Sequence, residues 1–139
     1  MASFFFKEFH NKLDAKNRVF IPARYRDQLS EGNEEFIIFK GPEKCLYVYD
    51  RETFEMISEQ FKNSKDRVAQ RSFFSQAVDV QPDKQGRVTL SVDQLEHAGI
   101  DKELVIVGAG QRFEIWAAEE YDGAIVPMDK LTGLNDFIF

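Results

Sequence analysis

The chain has 139 residues, a net charge of −6, one cysteine, two histidines and 14 phenylalanines, with 43% hydrophobic and 30% charged residues. That length excludes most multidomain enzymes and fits one ordinary domain, or two very small halves sharing a core, and the apolar content argues against disorder throughout. No apolar run approaches the roughly 20 residues that span a bilayer, and the start Met1-Ala2-Ser3-Phe4-Phe5-Phe6-Lys7-Glu8 has neither a basic stretch nor a small-residue cleavage site. The sequence therefore reads as a cytoplasmic globular protein with no membrane partner. Lone Cys45 cannot form an internal disulfide, and His10 and His97 complete no metal-ligand spacing, so no metal or cofactor is expected. The phenylalanines exceed what one small core normally absorbs, which points to packing against another subunit.

In chain order, strands are expected over residues 9 to 13 and 18 to 21, rich in β-branched and aromatic residues and flanking a tight turn, so a hairpin is implied. Asn17 supplies the residue that tolerates a left-handed backbone in that turn. Pro22 suits the first position of a helix running to Leu29, because its missing N–H has no intrahelical partner there. An apolar strand from Glu35 to Phe39, a Gly41-Pro42 turn and a strand from Cys45 to Tyr49 follow. Asp50 can cap a helix from Arg51 to about Lys62 whose apolar stripe is Phe54, Ile57 and Phe61, and Ser64 or Asp66 can cap a second through Val68 to about Phe74.

Strands over 78 to 81 and 87 to 90 imply a second hairpin, with Gly86 in the left-handed position. Ser91-Val92-Asp93-Gln94 is a capping-box pattern, and Gly99 closes that helix. A strand from Glu103 to Val107, the turn Gly108-Ala109-Gly110 and a strand from Phe113 to Trp116 end the ordered pattern. The segment after Tyr121 is acidic but ends Phe137-Ile138-Phe139, and is read as either disordered or docked on a neighbour.

The two halves repeat. Asp14-Ala15-Lys16-Asn17-Arg18-Val19 and Asp83-Lys84-Gln85-Gly86-Arg87-Val88 share Asp-x-x-x-Arg-Val at an offset of 69 residues. The same gapless shift aligns Ile21 with Leu90, Ala23 with Val92, Phe36-Ile37-Ile38 with Val105-Ile106-Val107, Gly41 with Gly110, and Leu46-Tyr47 with Ile115-Trp116. The division that results is a first module over 1–50, connecting helices over 51–76, a second module over 77–121 and a tail over 122–139.

Net acidity by itself argues against a nucleic-acid partner, because phosphate neutralisation needs positive charge facing the duplex. Its distribution reverses that argument: residues 7 to 26 carry a net +4 and residues 93 to 139 a net −7. A chain polarised in this way can present a positive face while remaining acidic overall. Arg18 and Arg87 have two readings, as ion-pair partners of the aspartates four residues earlier and as forks that bind phosphate or guanine edges. Asp14 and Asp83 fit the first reading and shape the loops. Lys12, Lys16, Arg24 and Arg26 surround Arg18, whereas the nearest charges to Arg87 are Lys84 and Asp83, so the first loop is the stronger candidate.

No catalytic constellation emerges. Cys45 falls in an apolar strand pattern, where a buried inert thiol is expected. His10 and His97 lie in no catalytic spacing, Gly108-Ala109-Gly110 lacks the third glycine and long helix of a nucleotide loop, and Glu119-Glu120 belong to a solvated acidic face. No small-molecule substrate is evident.

Asp14 to Ala23, the second motif Asp83 to Val88, Phe73-Phe74 before it and Phe113-Glu114-Ile115-Trp116 together resemble the MraZ family of bacterial transcriptional regulators, from about Phe5 to Tyr121. The resemblance implies an α+β, mainly β fold: tandem AbrB-like β-α-β modules interlocked into one pseudo-twofold domain, assembled as a ring-shaped homo-oligomer such as an octamer. It also implies sequence-specific binding of double-stranded DNA at short direct repeats ahead of the division and cell-wall genes, in association with the nucleoid. The DNA-binding residues are then Lys16 and Arg18, with Lys12 and Arg24 on phosphates and Lys84 and Arg87 in support, while Asp14, Asn17, Asp83 and Gly86 shape the loops. Two departures stand out. Asn17 replaces a common glycine at a position where asparagine also accepts positive φ, and Ser91 replaces an expected proline while restoring helix initiation by capping. The competing reading is a protein-interaction or assembly module whose basic loop is a solvated turn.

Overall fold

The computed structural model describes residues 3–29, 31–32, 34–133 and 136–137. Local signals build most elements directly. Strand β1 (Glu8–Lys12) and strand β2 (Arg18–Phe20) flank the first Asp-x-x-x-Arg loop. Helix α1 (Ala23–Arg26) follows, starting one residue later than expected because Pro22 is its N-cap. The rest of the expected helix tightens into i→i+3 bonds, from Gln28 N–H to Tyr25 O and from Leu29 N–H to Arg26 O. Next come β3 (Phe36–Lys40), β4 (Leu46–Asp50), α2 (Arg51–Lys62) and α3 (Arg67–Ser75). Asp50 caps α2 through Thr53 N–H, and Asp66 rather than Ser64 caps α3 through Val68 and Ala69 N–H.

The second half repeats the order with β5 (Val78–Val80), β6 (Arg87–Thr89), α4 (Val92–Ala98), β7 (Glu103–Gly108), β8 (Phe113–Ala117) and α5 (Ala118–Tyr121). The Ser91–Gln94 capping box forms in full, and Gly99 ends α4 at φ 66°. A 3-10 turn, Met128–Lys130, lies in the tail. Ile138 and Phe139, the apolar end of that tail, lie outside the described residues.

Neither expected hairpin forms. A six-stranded antiparallel sheet runs β1-β7-β8-β4-β3-β5, and a separate two-stranded ribbon pairs β2 with β6. β1 therefore joins β7, β5 joins β3, and each half lends its first strand to the other. The turns are where the sequence places them, but each carries the chain out of the sheet and into the ribbon instead of back along itself. The reason is burial. Val19 and Val88 are the buried residues of their three-residue strands, and only by facing one another can both reach the core below. Covering each contributes about 1.5–3 kcal/mol.

A pseudo-twofold axis runs through the molecule. Leu46 pairs with Ile115 in the sheet and Val19 with Val88 in the ribbon, each pair 69 residues apart. The main core lies between sheet and ribbon, joining Val19, Ile21, Tyr25, Val88, Leu90 and Ala98 to Phe36, Ile38, Leu46, Leu104, Ile106, Phe113 and Ile115. Strands β4 and β8 are buried on both faces. On the far face Cys45, Tyr47, Tyr49, Val105, Trp116 and Tyr121 form a second cluster, with Phe54 and Ile57 of α2 packed against it. Much of the phenylalanine excess is thus absorbed internally: Phe5, Tyr25, Phe36 and Phe113 form a cluster with centroids 4.8 to 5.2 Å apart, edge-to-face except for the tilted Tyr25–Phe113 pair. Phe4, Phe6, Phe20, Phe74 and Phe137 remain exposed. Among the described residues no helix is long and apolar enough to cross a membrane.

The N-terminal segment closes the core from the side. Phe5 exchanges backbone bonds with Gly110 at 2.7 and 2.9 Å, and the buried Tyr25 hydroxyl lies within donating distance of Phe6 O and Lys7 O, at 3.0 and 2.7 Å. Gly108 permits this approach, since a Cβ there would fall 2.3 Å from Phe6 N. Gly108→Ala is expected to cost about 1–3 kcal/mol by overpacking and to lower the thermal midpoint followed by circular dichroism. Gly123→Ala, whose Cβ meets only Glu120 O at 3.7 Å, stays within about 0.5 kcal/mol of the parent.

Candidate nucleic-acid interface

Each Asp-x-x-x-Arg segment folds into the same small loop. Asp14 Oδ1 accepts from Lys16 N–H at 2.9 Å and Arg18 N–H at 2.8 Å, while Oδ2 accepts from Arg18 Nε at 2.8 Å. In the second loop Asp83 Oδ1 accepts from Gln85 and Arg87 N–H, both at 2.9 Å, and Oδ2 from Arg87 Nε at 3.0 Å. Asn17 and Gly86 take the left-handed position at φ 59° and 83°. The spacing of four is therefore structural: one carboxylate organises two backbone amides and orients a guanidinium whose Nη donors stay available.

The ribbon sets the loops side by side. Ile21 N–H donates to Gly86 O at 2.8 Å and Leu90 N–H to Asn17 O at 2.9 Å, so the crest of each loop anchors the strand leaving the other. Arg87 Nη1 lies 3.8 Å from Asp14 Oδ2, an ion pair between the two motifs. Sequence spacing puts only Lys84 and Asp83 near Arg87 and makes the first loop the stronger candidate. In the fold the two loops form one composite face, because pairing of β2 with β6 cancels their separation in sequence.

Register then decides what that face shows. Val19 and Val88 point inward, so Arg18, Phe20, Arg87 and Thr89 share the outer side, Arg18 opposite Thr89 and Phe20 opposite Arg87. Arg18 and Arg87 side chains are each 27% exposed, held back by their aspartates, whereas Lys16 and Lys84 project freely from the loops. Lys12 lies exposed on edge strand β1, tied to the ribbon through its neighbour Asn11, whose Nδ2 donates to Phe20 O. Arg24 stacks over Phe6 at 5.0 Å on the exposed side of α1. Among the described residues neither Lys12 nor Arg24 bonds to the loops.

Two residues of this face have roles the sequence reading did not give them: it counted Arg26 only as one charge near Arg18, and it did not name Phe20. Arg26 donates from Nε to Ile21 O at 2.8 Å, lies 5.3 Å from the Phe20 ring and packs under Gly86, where an added Cβ would come 2.6 Å from its Cζ. Phe20, 42% exposed beside two arginines, is a large apolar surface on an otherwise polar ribbon. The available signal was alternation: three-residue strands centred on Val19 and Val88 put residues 18 and 20, and 87 and 89, on one side. Charge across the pseudo-axis is uneven, since Lys12, Lys16, Arg24 and Arg26 occupy positions that in the second half hold Gln81, Gln85, Asp93 and Leu95.

The residues weighed for catalysis are engaged elsewhere. Cys45 is fully buried, and burial pushes its thiol up to about 12. His97 Nε2 lies 3.1 Å from both Gly41 O and Glu43 O, and His10 pairs with Glu8. Among the described residues no group of three His, Cys, Asp or Glu side chains could hold a metal ion.

The bond from the Arg18 backbone N–H, followed by the Arg18 guanidinium and the Lys16 N–H, holds the Asp14 carboxyl below its ordinary value, and the Arg87 N–H does the same for Asp83. A lowered folded value means that loop stabilisation is complete above the unfolded carboxyl value of about 3.9 and is lost as pH falls through the folded one. Carboxyl-carbon NMR titrations of Asp14 and Asp83 are expected to give midpoints below about 3.9, with the Arg18 and Arg87 amide resonances shifting over the same range. Midpoints at or above that value would remove the aspartates from their loop-shaping role.

A family model described as MraZ protein, antitoxin-like, matches residues 4–73 and again 73–125, in keeping with the duplicated α+β architecture. A transcriptional regulator MraZ of Carboxydothermus hydrogenoformans is 44% identical over 120 residues, covering 83% of this chain and 82% of the relative. Proteins of the same name from Micrococcus luteus and Clostridium acetobutylicum are 39% and 38% identical, covering 80% and 91% of this chain and 79% and 93% of their own lengths. These relatives are named as regulators of transcription and not as enzymes. The chain belongs to the MraZ family.

Proposed function

We propose that this protein is a sequence-specific DNA-binding transcriptional regulator, and that the twin-loop face of the β2–β6 ribbon is its DNA interface. The observation that carries the reading is the composite face itself: two aspartate-braced arginines on one exposed two-stranded ribbon, flanked by Lys16 and Lys84. A two-stranded ribbon is narrow enough for the major groove, where arginine forks can take guanine O6 and N7. Arg18 and Lys16 meet bases or phosphates, Lys12 and Arg24 neutralise phosphates, and Arg87 and Lys84 hold the flanking backbone. The relatives' name supports regulation of transcription as the setting.

The finer reading follows the family resemblance. The target is a set of short direct repeats ahead of the division and cell-wall genes, in the cytoplasm at the nucleoid, and the protein assembles as a homo-oligomeric ring such as an octamer. Residues 1–50 and 77–121 act as the two modules, joined by the helices of 51–76. A ring lets several ribbons engage successive repeats, so modest single-site affinity multiplies through effective concentration and offsets the net charge of −6. Exposed Phe4, Phe6 and Phe74 favour a second reading, an assembly module that does not bind DNA.

Gel retardation on the protein's own promoter region, with repeats intact or scrambled, separates these readings. Arg18→Ala is expected to abolish retardation of the intact-repeat duplex while light scattering shows an unchanged particle mass. Lys16→Ala should reduce the slope of log affinity against log salt by about 1, as loss of one phosphate contact requires. Equal retardation of scrambled repeats, or affinity indifferent to salt, would favour the assembly module.

A further inference from the structure

On the outer side of the β2–β6 ribbon, Phe20 stands among Arg18, Arg87 and Thr89. Its side chain is 42% exposed and belongs to neither core cluster. It is nonetheless held in place. The Phe20 carbonyl accepts from Asn11 Nδ2 at 3.1 Å, and the Arg26 guanidinium, anchored by Nε on Ile21 O at 2.8 Å, lies over the ring at 5.3 Å from its centroid.

The fold does not require an aromatic ring at this position. At the offset of 69 residues the equivalent of Phe20 is Thr89, exposed at the same place on the other strand of the ribbon. Both residue types suit a half-exposed strand. The core therefore does not account for a ring on one strand and a small polar residue on the other.

The chemistry around the ring does suggest a partner. Arg18, Arg87, Lys16 and Lys84 present charge and hydrogen-bond donors, which serve phosphates and the polar edges of bases. A phenyl ring gains nothing from a phosphate. Every base edge in the major groove carries donors or acceptors, and thymine alone adds an apolar group, its C5-methyl, for which phenylalanine is a suitable contact. Directly opposed side chains on a ribbon have Cβ atoms about 4.5–5.5 Å apart, and successive bases on one strand are about 3.4 Å apart along the helix axis. The Phe20 ring and the Arg87 fork opposite it thus face the same short stretch of groove.

We propose that Phe20 is a specificity-determining residue of the DNA interface, its ring packing against the C5-methyl group of one thymine in each bound repeat. The inference rests on the DNA-binding reading above and deepens it: the arginines supply polar readout, and Phe20 adds selection for thymine over cytosine at one position.

The test is gel retardation by the full-length protein on the repeat duplex of its own promoter, with each thymine of one repeat replaced in turn by uracil. Uracil keeps the pairing and the polar edge of thymine and removes only the methyl group. For the parent protein, uracil at one position is expected to weaken binding about fourfold, which corresponds to about 0.8 kcal/mol for one buried methyl. Phe20→Thr, which places at residue 20 what residue 89 already carries, and Phe20→Ala are both expected to bind the thymine and uracil duplexes equally at that position. A ring that serves only to prop Arg26 predicts something different: both variants lose affinity for all duplexes alike, and the uracil effect is the same in parent and variants. That result, or a parent protein indifferent to uracil at every position, would overturn the thymine contact while retardation of the intact duplex leaves the DNA-binding reading standing. Failure of the parent to retard the intact duplex would overturn both.

Discussion

Pairing of β2 with β6 is the interaction on which the rest of the molecule depends. The two strands are three residues long and contribute one buried side chain each, Val19 and Val88, which meet on the pseudo-twofold axis. A ribbon this short is marginal in isolation. It persists because its inner side lies on the main core and because Ile21 and Leu90 amides bond to the crests of the opposite loops. Those reciprocal bonds make each loop part of the other's foundation, so the braced arginines are held as a pair.

Strand exchange extends the same dependence to the sheet. β1 completes the half containing β7 and β8, and β5 completes the half containing β3 and β4, so neither half buries its core unaided. The exchange also leaves β1 and β5 as the two edges, and β5 is only three residues long, which limits unwanted pairing with other chains. The sheet then separates two environments. One side supports the ribbon through an aromatic and aliphatic core; on the other, α2 and α5 pack against a second, largely aromatic cluster. Net acidity of the whole chain is thus compatible with a ribbon face that carries Lys16, Arg18, Lys84 and Arg87.

Duplication has been followed by divergence, and the loops show where. Asp14 with Asp83 and Arg18 with Arg87 keep the brace, since each carboxylate must satisfy two backbone amides and orient one guanidinium. The surrounding cations have not been kept in both halves. Lys16 faces a second-half Gln85 and Arg24 an Asp93, and Asp93 now pairs with Lys40. Arg26 has a further role that its counterpart Leu95 lacks, donating to Ile21 O and packing against Gly86 of the opposite loop.

Much of this was legible in the residues themselves. The repeat, the capping box at Ser91, the Asp50 cap, the left-handed positions of Asn17 and Gly86 and the aspartate–arginine braces are all local, set by side chains within about four residues of one another, where propensity and hydrogen-bond geometry act without the rest of the fold. What the sequence could not decide was partnership. A β-branched triplet beside a tight turn states that a strand exists and which side is apolar, but its edge hydrogen bonds fit any strand equally well. Only tertiary packing chose β6 for β2 and β7 for β1, because only that arrangement buries both valines and closes both halves at once. From that choice came the composite face and the positions of Phe20 and Arg26 within it.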